Sequence, residues 1–285
     1  MHTLGSNCLL FLGTPQPVAV RRVSRLVATS SWSNLHAIGL IESVWDQKFG
    51  TPRQGSLAPD ARANLTLDLP GGLCAGHALE GIEEFSHVWL IWAFSLNKNT
   101  ATNSKVRVPR LRGRRAGLFA TRSPYRPNPI GLSLVKLEGV DGDTLQLSGV
   151  DLVDGTPIID IKPYVPQYDS PLAMPGGLGE SSVRIAPWLE EVQTESLEVD
   201  FSPAANRALQ DQKGALLCDS EVFRRTLVQC LESDPRPLYR WRRERTACSS
   251  DYQVQIDGIA AHCRFERAAD GTERVLVEQI FPAST

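Results

Sequence analysis

A chain of 285 residues with 42% hydrophobic and 22% charged side chains has the make-up of a folded globular protein, long enough for one large domain and a smaller second one. A formal net charge of −2 excludes a globally basic nucleic-acid binder, so a polyanionic partner has to be sought in the local distribution of charge. The longest apolar runs, residues 8–12 and 88–94, fall far short of the ~20 residues of a membrane-crossing helix, which excludes an integral helical membrane protein.

The first 41 residues hold Arg21, Arg22 and Arg25, many Ser and Thr and no acid, a composition like that of an organellar transit peptide. The first convincing strand begins at His36, and residues 1–35 are expected to be a disordered extension outside the fold. Residues 36–43 (HAIGLIES) are short and apolar, and residues 88–94 (VWLIWAF) are apolar throughout, as in a strand covered on both faces. Residues 117–121, 132–140, 144–150 and 157–164 add four short β-like runs divided by turn residues, with Asp141-Gly142 as a tight hairpin. So many strands with almost no helical periodicity before residue 185 predict a β-barrel.

A Pro-, Gly- and Ser-rich stretch over 170–182 then marks a change of architecture. Ser202 before Pro203 is a helix start, and Asp219 can cap a helix in which Phe223, Leu227 and Leu231 recur every four residues. Residues 252–256, 260–266 and 275–280 read as strands joined by Asp257-Gly258 and Asp270-Gly271 turns. The expectation is a mainly β protein, with an N-terminal β-barrel domain over 36–185 and a small α+β domain over 186–285.

Charge is unevenly spread. Between Glu84 and Glu138 there is no acid, while Lys98, Lys105, Arg107, Arg110, Arg112, Arg114, Arg115, Arg122, Arg126 and Lys136 supply ten positive charges, the pattern that binding to phosphates requires. A second cluster, Arg236, Arg240, Arg242, Arg243 and Arg245, is interleaved with Tyr239 and Trp241, which could stack on unpaired bases. For both clusters a solvated basic surface is the plainer alternative. The six cysteines at 8, 74, 218, 230, 248 and 263 have no zinc-binding spacing and read as reduced thiols, which favours the cytosol and no metal.

No G-x-G-x-x-G opens a helix after a strand, so a Rossmann-type cofactor cradle is not expected. Residues 122–131 (RSPYRPNPIG) hold three prolines, and proline-fixed geometry would hold Arg122, Arg126 and Asn128 at small entropic cost when a ligand binds. Asp151 and Asp154 flank a turn, and the strand after it alternates: Ile159 and Ile161 one way, Asp160, Lys162 and Tyr164 the other. Carboxylate, ammonium and phenol on one face could relay a proton, or form an internal ion pair.

These residues also carry a resemblance. PRQ at 52–54, GIEEFSHVWLIW at 81–92, GLFATRSPYRPNPIGLS at 117–133, DLVDGTPIIDIKPY at 151–164 and DPRPLY at 234–239 resemble, in order, the bacterial tRNA (N6-threonylcarbamoyladenosine-37)-N6-methyltransferase family. The resemblance implies a non-Rossmann β-barrel enzyme, usually a homodimer, that uses S-adenosyl-L-methionine to methylate N6 of threonylcarbamoyladenosine at position 37 of tRNAs reading ACN codons. It places cofactor contacts on Pro52, Arg53, Gln54, Ser95, Leu96, Arg122, Leu132, Ser133, Leu134, Asp151, Leu152, Val153 and Asp154; relatives often have a His-polar pair where this chain has Ser95 and Leu96. On that footing Asp160, with Tyr164, is expected to accept the N6 proton, and Arg122 or Arg126 to pair with the threonyl carboxylate. Arg112, Arg114, Arg115, Arg236, Arg240, Arg242 and Arg243 are expected to grip the anticodon arm. A non-catalytic RNA-binding or adenosyl-ligand-sensing module, and a methyltransferase with another acceptor, stay open as alternatives.

Overall fold

Six strands with apolar side chains at alternate positions roll into a closed antiparallel barrel in a computed structural model that describes residues 35–97, 103–108, 114–173, 183–190, 196–244, 249–267 and 272–283. Around the barrel the order is β1 (Gly39–Ser43), β2 (Arg62–Leu67), β7 (Thr144–Ser148), β6 (Ile130–Asp141), β3 (His87–Ala93) and β8 (Pro157–Pro163), with β8 closing back on β1. Ile41, Leu65, Val88, Leu90, Val135, Leu145, Leu147 and Ile158 fill the interior. Removing one such side chain, as in Leu65→Ala, should cost roughly 2–5 kcal/mol. The expected barrel is present, and its missing member was β2, whose RANLTL run is half polar but strictly alternating.

Two expected strands differ in detail. Residues 117–121 are not one strand. Instead β4 (Lys105–Arg107) and β5 (Arg115–Gly117) form a two-stranded ribbon, after which Leu118–Ala120 make a single 3-10 turn closed by the Thr121 amide and hydroxyl, both donating to the Leu118 carbonyl. In β8 the expected alternation breaks, because the ladder to β3 slips between Ile91, opposite Asp160, and Trp92, opposite Ile158. As a result Ile158 and Ile161, rather than Ile159 and Ile161, meet the barrel core.

The remaining elements are short helices α1 (Ala75–Ala78), α2 (Pro166–Asp169) and α3 (Pro187–Glu190), then β9 (Glu198–Phe201), α4 (Pro203–Asp211), α5 (Ser220–Glu232), α6 (Leu238–Glu244), β10 (Ser249–Ile256), β11 (Ile259–Arg267) and β12 (Glu273–Pro282). The helix starts follow the sequence. The Ser202 hydroxyl accepts from the Ala205 amide, and the Asp219 carboxylate accepts from the Glu221 and Val222 amides. Phe223, Leu227 and Leu231 are buried on one face of α5. Strands β10, β11 and β12 run antiparallel, and β9 adds in parallel to β12. Asp257 and Gly258, both at positive φ, make the two-residue turn between β10 and β11. The second expected turn, Asp270-Gly271, and residues 1–34 lie outside the described residues.

The second core is not built from the C-terminal segment alone. Val44, Trp45, Ala58 and Ala61, which sit between β1 and β2, are fully buried among Phe223, Leu227, Val254 and Val277. Hydrogen bonds fix the same join: the Asp257 amide donates to the Val44 carbonyl (2.7 Å), the Gly258 amide to the Asp46 carboxylate (2.9 Å), and Arg225 pairs with Asp60 (3.1 Å). From the other side of the same segment, Trp45 Nε1 donates to the Val150 carbonyl (2.6 Å) and the Asp154 amide donates to the Trp45 carbonyl (2.9 Å). Residues 44–46 therefore bridge the β10–β11 turn and the Asp151–Asp154 turn.

Candidate active site

One end of the barrel opens into a cleft of about 1800 Å³. Its floor comes from strand ends and the turn after β7: Trp92, Gly131, Asp151, Val153 and Thr156. Residues 48–56, the proline loop and the β4–β5 ribbon rise around it, and Trp188 and residues 233–237 form the far wall.

Close packing sets the floor. Trp92 on β3 lies against Gly131 of β6, where an added Cβ would fall 2.1 Å from the indole, so no larger residue fits. Thus seated, Trp92 Nε1 donates to the Ser133 hydroxyl (3.0 Å), and that hydroxyl donates to Asp151 Oδ1 (2.5 Å). Burial pushes the Asp151 carboxyl up to about 6, against the opposing pull of the Ser133 hydrogen bond and the Arg122 charge. On the neighbouring wall, a Cβ on Gly55 would meet the Gly149 carbonyl oxygen at 1.9 Å, so Gly55 lets residues 52–56 close against the end of β7.

The proline loop is held by its own bonds. The Ser123 amide donates to the Thr121 hydroxyl (3.2 Å), the Tyr125 amide to the Ser123 hydroxyl (3.3 Å), and Arg126 Nη1 to the Thr121 carbonyl (2.8 Å). The Phe94 amide ties the end of β3 to the Pro129 carbonyl (2.8 Å). Arg122 hydrogen-bonds the Gln54 side chain, joining two walls. Arg126 lies over the exposed Phe119 ring and Lys48 over Tyr125, 5.5 and 5.9 Å from the ring centroids.

Of the residues named from the sequence, Pro52, Arg53, Gln54, Ser95, Leu96, Arg122, Arg126, Leu132, Asp151 and Val153 line this cleft. Leu152 does not, being buried in the barrel core, and Leu134 is paired with Trp89 across the β3–β6 ladder. The exposed Asp154 accepts from the Ser43 amide (3.0 Å). Asp160 and Tyr164 are not among the residues that line the cleft. Asp160 pairs with Lys162 on the same strand face (2.9 Å), the internal ion pair that the sequence left open, and Tyr164 packs edge-on against Trp89, 5.9 Å between centroids. Ser133 and Trp92 carry the polar floor. The resemblance places a cofactor contact at Ser133 but gives Trp92 no role, and the signal available was a hydroxyl and an indole in otherwise aliphatic strands.

The two basic clusters separate. Arg107 stands directly opposite Arg115 in the ribbon, both are exposed, and Lys105, Arg107, Arg114 and Arg115 have no acidic partner among the described residues. Arg236 is the reverse and corrects the expectation of an RNA contact. Its side chain is only 5% exposed, clamped by Asp234 (2.9 Å) and Glu273 (3.0 Å), and lies 3.9 Å over the Phe265 ring. Arg240 and Arg243 both reach Glu244, Arg243 remaining largely exposed. Arg112, and the side chain of Arg242, lie outside the described residues. Among the described residues no group of His, Cys, Asp or Glu could hold a metal ion, and no helix is long and apolar enough to cross a membrane.

A six-stranded barrel joined to a C-terminal mixed sheet is the architecture of TrmO from Pseudomonas aeruginosa, whose crystal structure matches at a TM-score of 0.60 with 30% identity, covering 87% of this chain and 97% of that one. Residues 40–170 match the family described as tRNA-methyltransferase O N-terminal domain. A tRNA (adenine(37)-N6)-methyltransferase of Escherichia coli is 38% identical over 71% of this chain and 82% of its own, and a putative S-adenosylmethionine-dependent methyltransferase, RcsF, of Pseudomonas aeruginosa is 42% identical over 81% and 91%. The chain belongs to the tRNA-methyltransferase O family. It spans about a third of the length of the mammalian relatives it matches, 31% in the case of the mouse tRNA (adenine(37)-N6)-methyltransferase, at 51% identity over 47% of this chain.

Proposed function

We propose that this protein transfers a methyl group from S-adenosyl-L-methionine to N6 of adenine 37 in tRNA, the acceptor being the threonylcarbamoyl form of that base in tRNAs reading ACN codons. The observation that carries the reading is the cleft at the open end of a family barrel, where Asp151, a carboxylate with no ion-pair partner among the described residues, shares the lining with Trp92 and Phe94.

The donor set fits S-adenosylmethionine. A sulfonium is stabilised by a carboxylate and by aromatic faces, and an adenine by apolar cover and backbone hydrogen bonds. Trp92 and Phe94 offer the aromatic faces, and the exposed Leu132 with residues 52–54 the apolar cover and backbone groups. When bound, the group supplies an electrophilic methyl. Everything else falls to the chain's own residues: Arg126, fixed on the Thr121 carbonyl and Phe119, presents a guanidinium to a carboxylate on the acceptor, and the ribbon arginines meet the phosphates beside it. Such an acceptor nitrogen is a weak nucleophile, so the rate rests chiefly on rigid positioning.

Mass spectrometry of tRNA nucleosides from a strain lacking the gene tests the reading. Loss of N6-methyl-threonylcarbamoyladenosine alone is expected. An unchanged nucleoside profile would point to a ligand-sensing module, and loss of a different methylated species to another acceptor. We also infer a homodimer, with the exposed Leu96, Phe119 and Leu132 at the cleft as the apolar surface to cover. Sedimentation at micromolar concentration giving only the monomer mass would rule it out.

A further inference from the structure

We propose that Asp151 is the catalytic base that takes the N6 proton, with Ser133 as its positioning residue. The assignment rests on the function proposed above and adds a role within it.

The argument begins with elimination. Among the described residues lining the cleft there is no histidine or cysteine, and the carboxylates are Asp151 and Asp234. Asp234 already holds Arg236 through both oxygens, at 2.9 Å each. A carboxylate committed to a buried guanidinium is a poor proton acceptor, since the pair would have to be broken before it could act. Asp151 has no ion-pair partner among the described residues: Oδ1 accepts from Ser133, and otherwise only the Gly55 amide and its own amide bear on the carboxylate.

Its surroundings suit the role. A base works best when its pKa lies near the operating pH, and the enclosure that lifts the Asp151 carboxyl to about 6 brings it there. Around it, β6 contributes the Ser133 hydroxyl, the 54–56 segment the Gly55 amide, and the proline loop the Arg122 guanidinium, the charge that faces it. The carboxylate is also held still. Trp92 orients the Ser133 hydroxyl, and Trp45 grips the turn at both the Val150 carbonyl and the Asp154 amide. In the reaction the N6 lone pair forms the new bond to the methyl carbon, the carbon–sulfur bond breaks with its electron pair left on sulfur, and the N6 proton passes to the Asp151 carboxylate. The positive sulfonium and the negative carboxylate both end neutral, so charge balances within the cleft.

A counter-ion for the sulfonium would occupy the same place, and Asp151→Asn separates the two roles. Calorimetry with S-adenosylmethionine and with S-adenosylhomocysteine, whose sulfur is uncharged, reads binding, and single-turnover methylation of tRNA reads chemistry. For a base, Asp151→Asn leaves the affinities for both ligands within about threefold of wild type. It lowers the saturated rate about 100- to 1000-fold and abolishes the fall in rate that wild type shows as pH drops below about 6. Ser133→Ala should lower the rate less and move that fall to higher pH, because the lost hydrogen bond had favoured the charged carboxylate. Selective loss of S-adenosylmethionine binding with a normal saturated rate would overturn the proposal in favour of a counter-ion, and so would a variant rate within threefold of wild type. A wild-type protein that binds neither ligand would instead defeat the proposed function.

Discussion

The two arginine clusters both stand out as basic in the sequence and behave oppositely in the structure. In the β4–β5 ribbon, Arg107 and Arg115 face each other across the strands with no acidic partner among the described residues, an arrangement that like charges disfavour unless a third party supplies the negative charge. In the C-terminal cluster, Arg236 is buried between Asp234 and Glu273, and Arg240 and Arg243 share Glu244. What separates them is where the acids stand: none lies between Glu84 and Glu138, whereas Asp234, Glu244 and Glu273 lie within reach of the second cluster. An arginine without an internal partner is available to a phosphate; one with two has become part of the fold.

The contrast can be broken by substitution. Arg236→Ala should have the largest effect, about 3–5 kcal/mol lost from folding, because it strands Asp234 and Glu273 and uncovers Phe265; urea unfolding measures it. Asp151, a half-buried carboxylate without an ion pair among the described residues, should behave in the opposite sense. Its folded-state pKa of about 6 lies above the ordinary 3.8, so between those values the folded protein binds the extra proton, and stability falls as pH rises through that window. Asp151→Asn removes the penalty: little change near pH 4 and a gain of roughly 1–3 kcal/mol above pH 6, read from unfolding midpoints across pH. Removing both ribbon charges, Arg107→Gln with Arg115→Gln, should leave unfolding almost unchanged. It should weaken tRNA binding about tenfold and flatten its dependence on log salt by about 1 to 2. Arg243→Ala, exposed and already sharing Glu244, should shift either measurement by less than about 0.5 kcal/mol.

Much of the barrel was legible because its strands alternate, and both α4 and α5 announced themselves through Ser202, Pro203 and Asp219. Less legible was anything set by pairing rather than by pattern. The slip opposite Ile91 and Trp92 that puts Ile158 rather than Ile159 in the core is a property of two strands together, so counting every second residue from Ile159 could not reveal it. Likewise the Asp151 turn and the proline loop stood out by composition, while Ser133 and Trp92 acquire their meaning only once β3 lies beside β6. Arg236 misled for the same reason, since Glu273 is 37 residues away in sequence and hydrogen-bonded to it in space.

Trp45 has a consequence that reaches beyond one folded molecule. Its ring belongs to the C-terminal core, its indole nitrogen and carbonyl hold the turn that bears Asp151, and its neighbours Val44 and Asp46 hold the β10–β11 turn. A lineage that altered this segment would disturb both halves at once. A substitution at residue 44, 45, 58 or 61 therefore acts on two cores at once, and its cost depends on what stands at 223, 254 and 277.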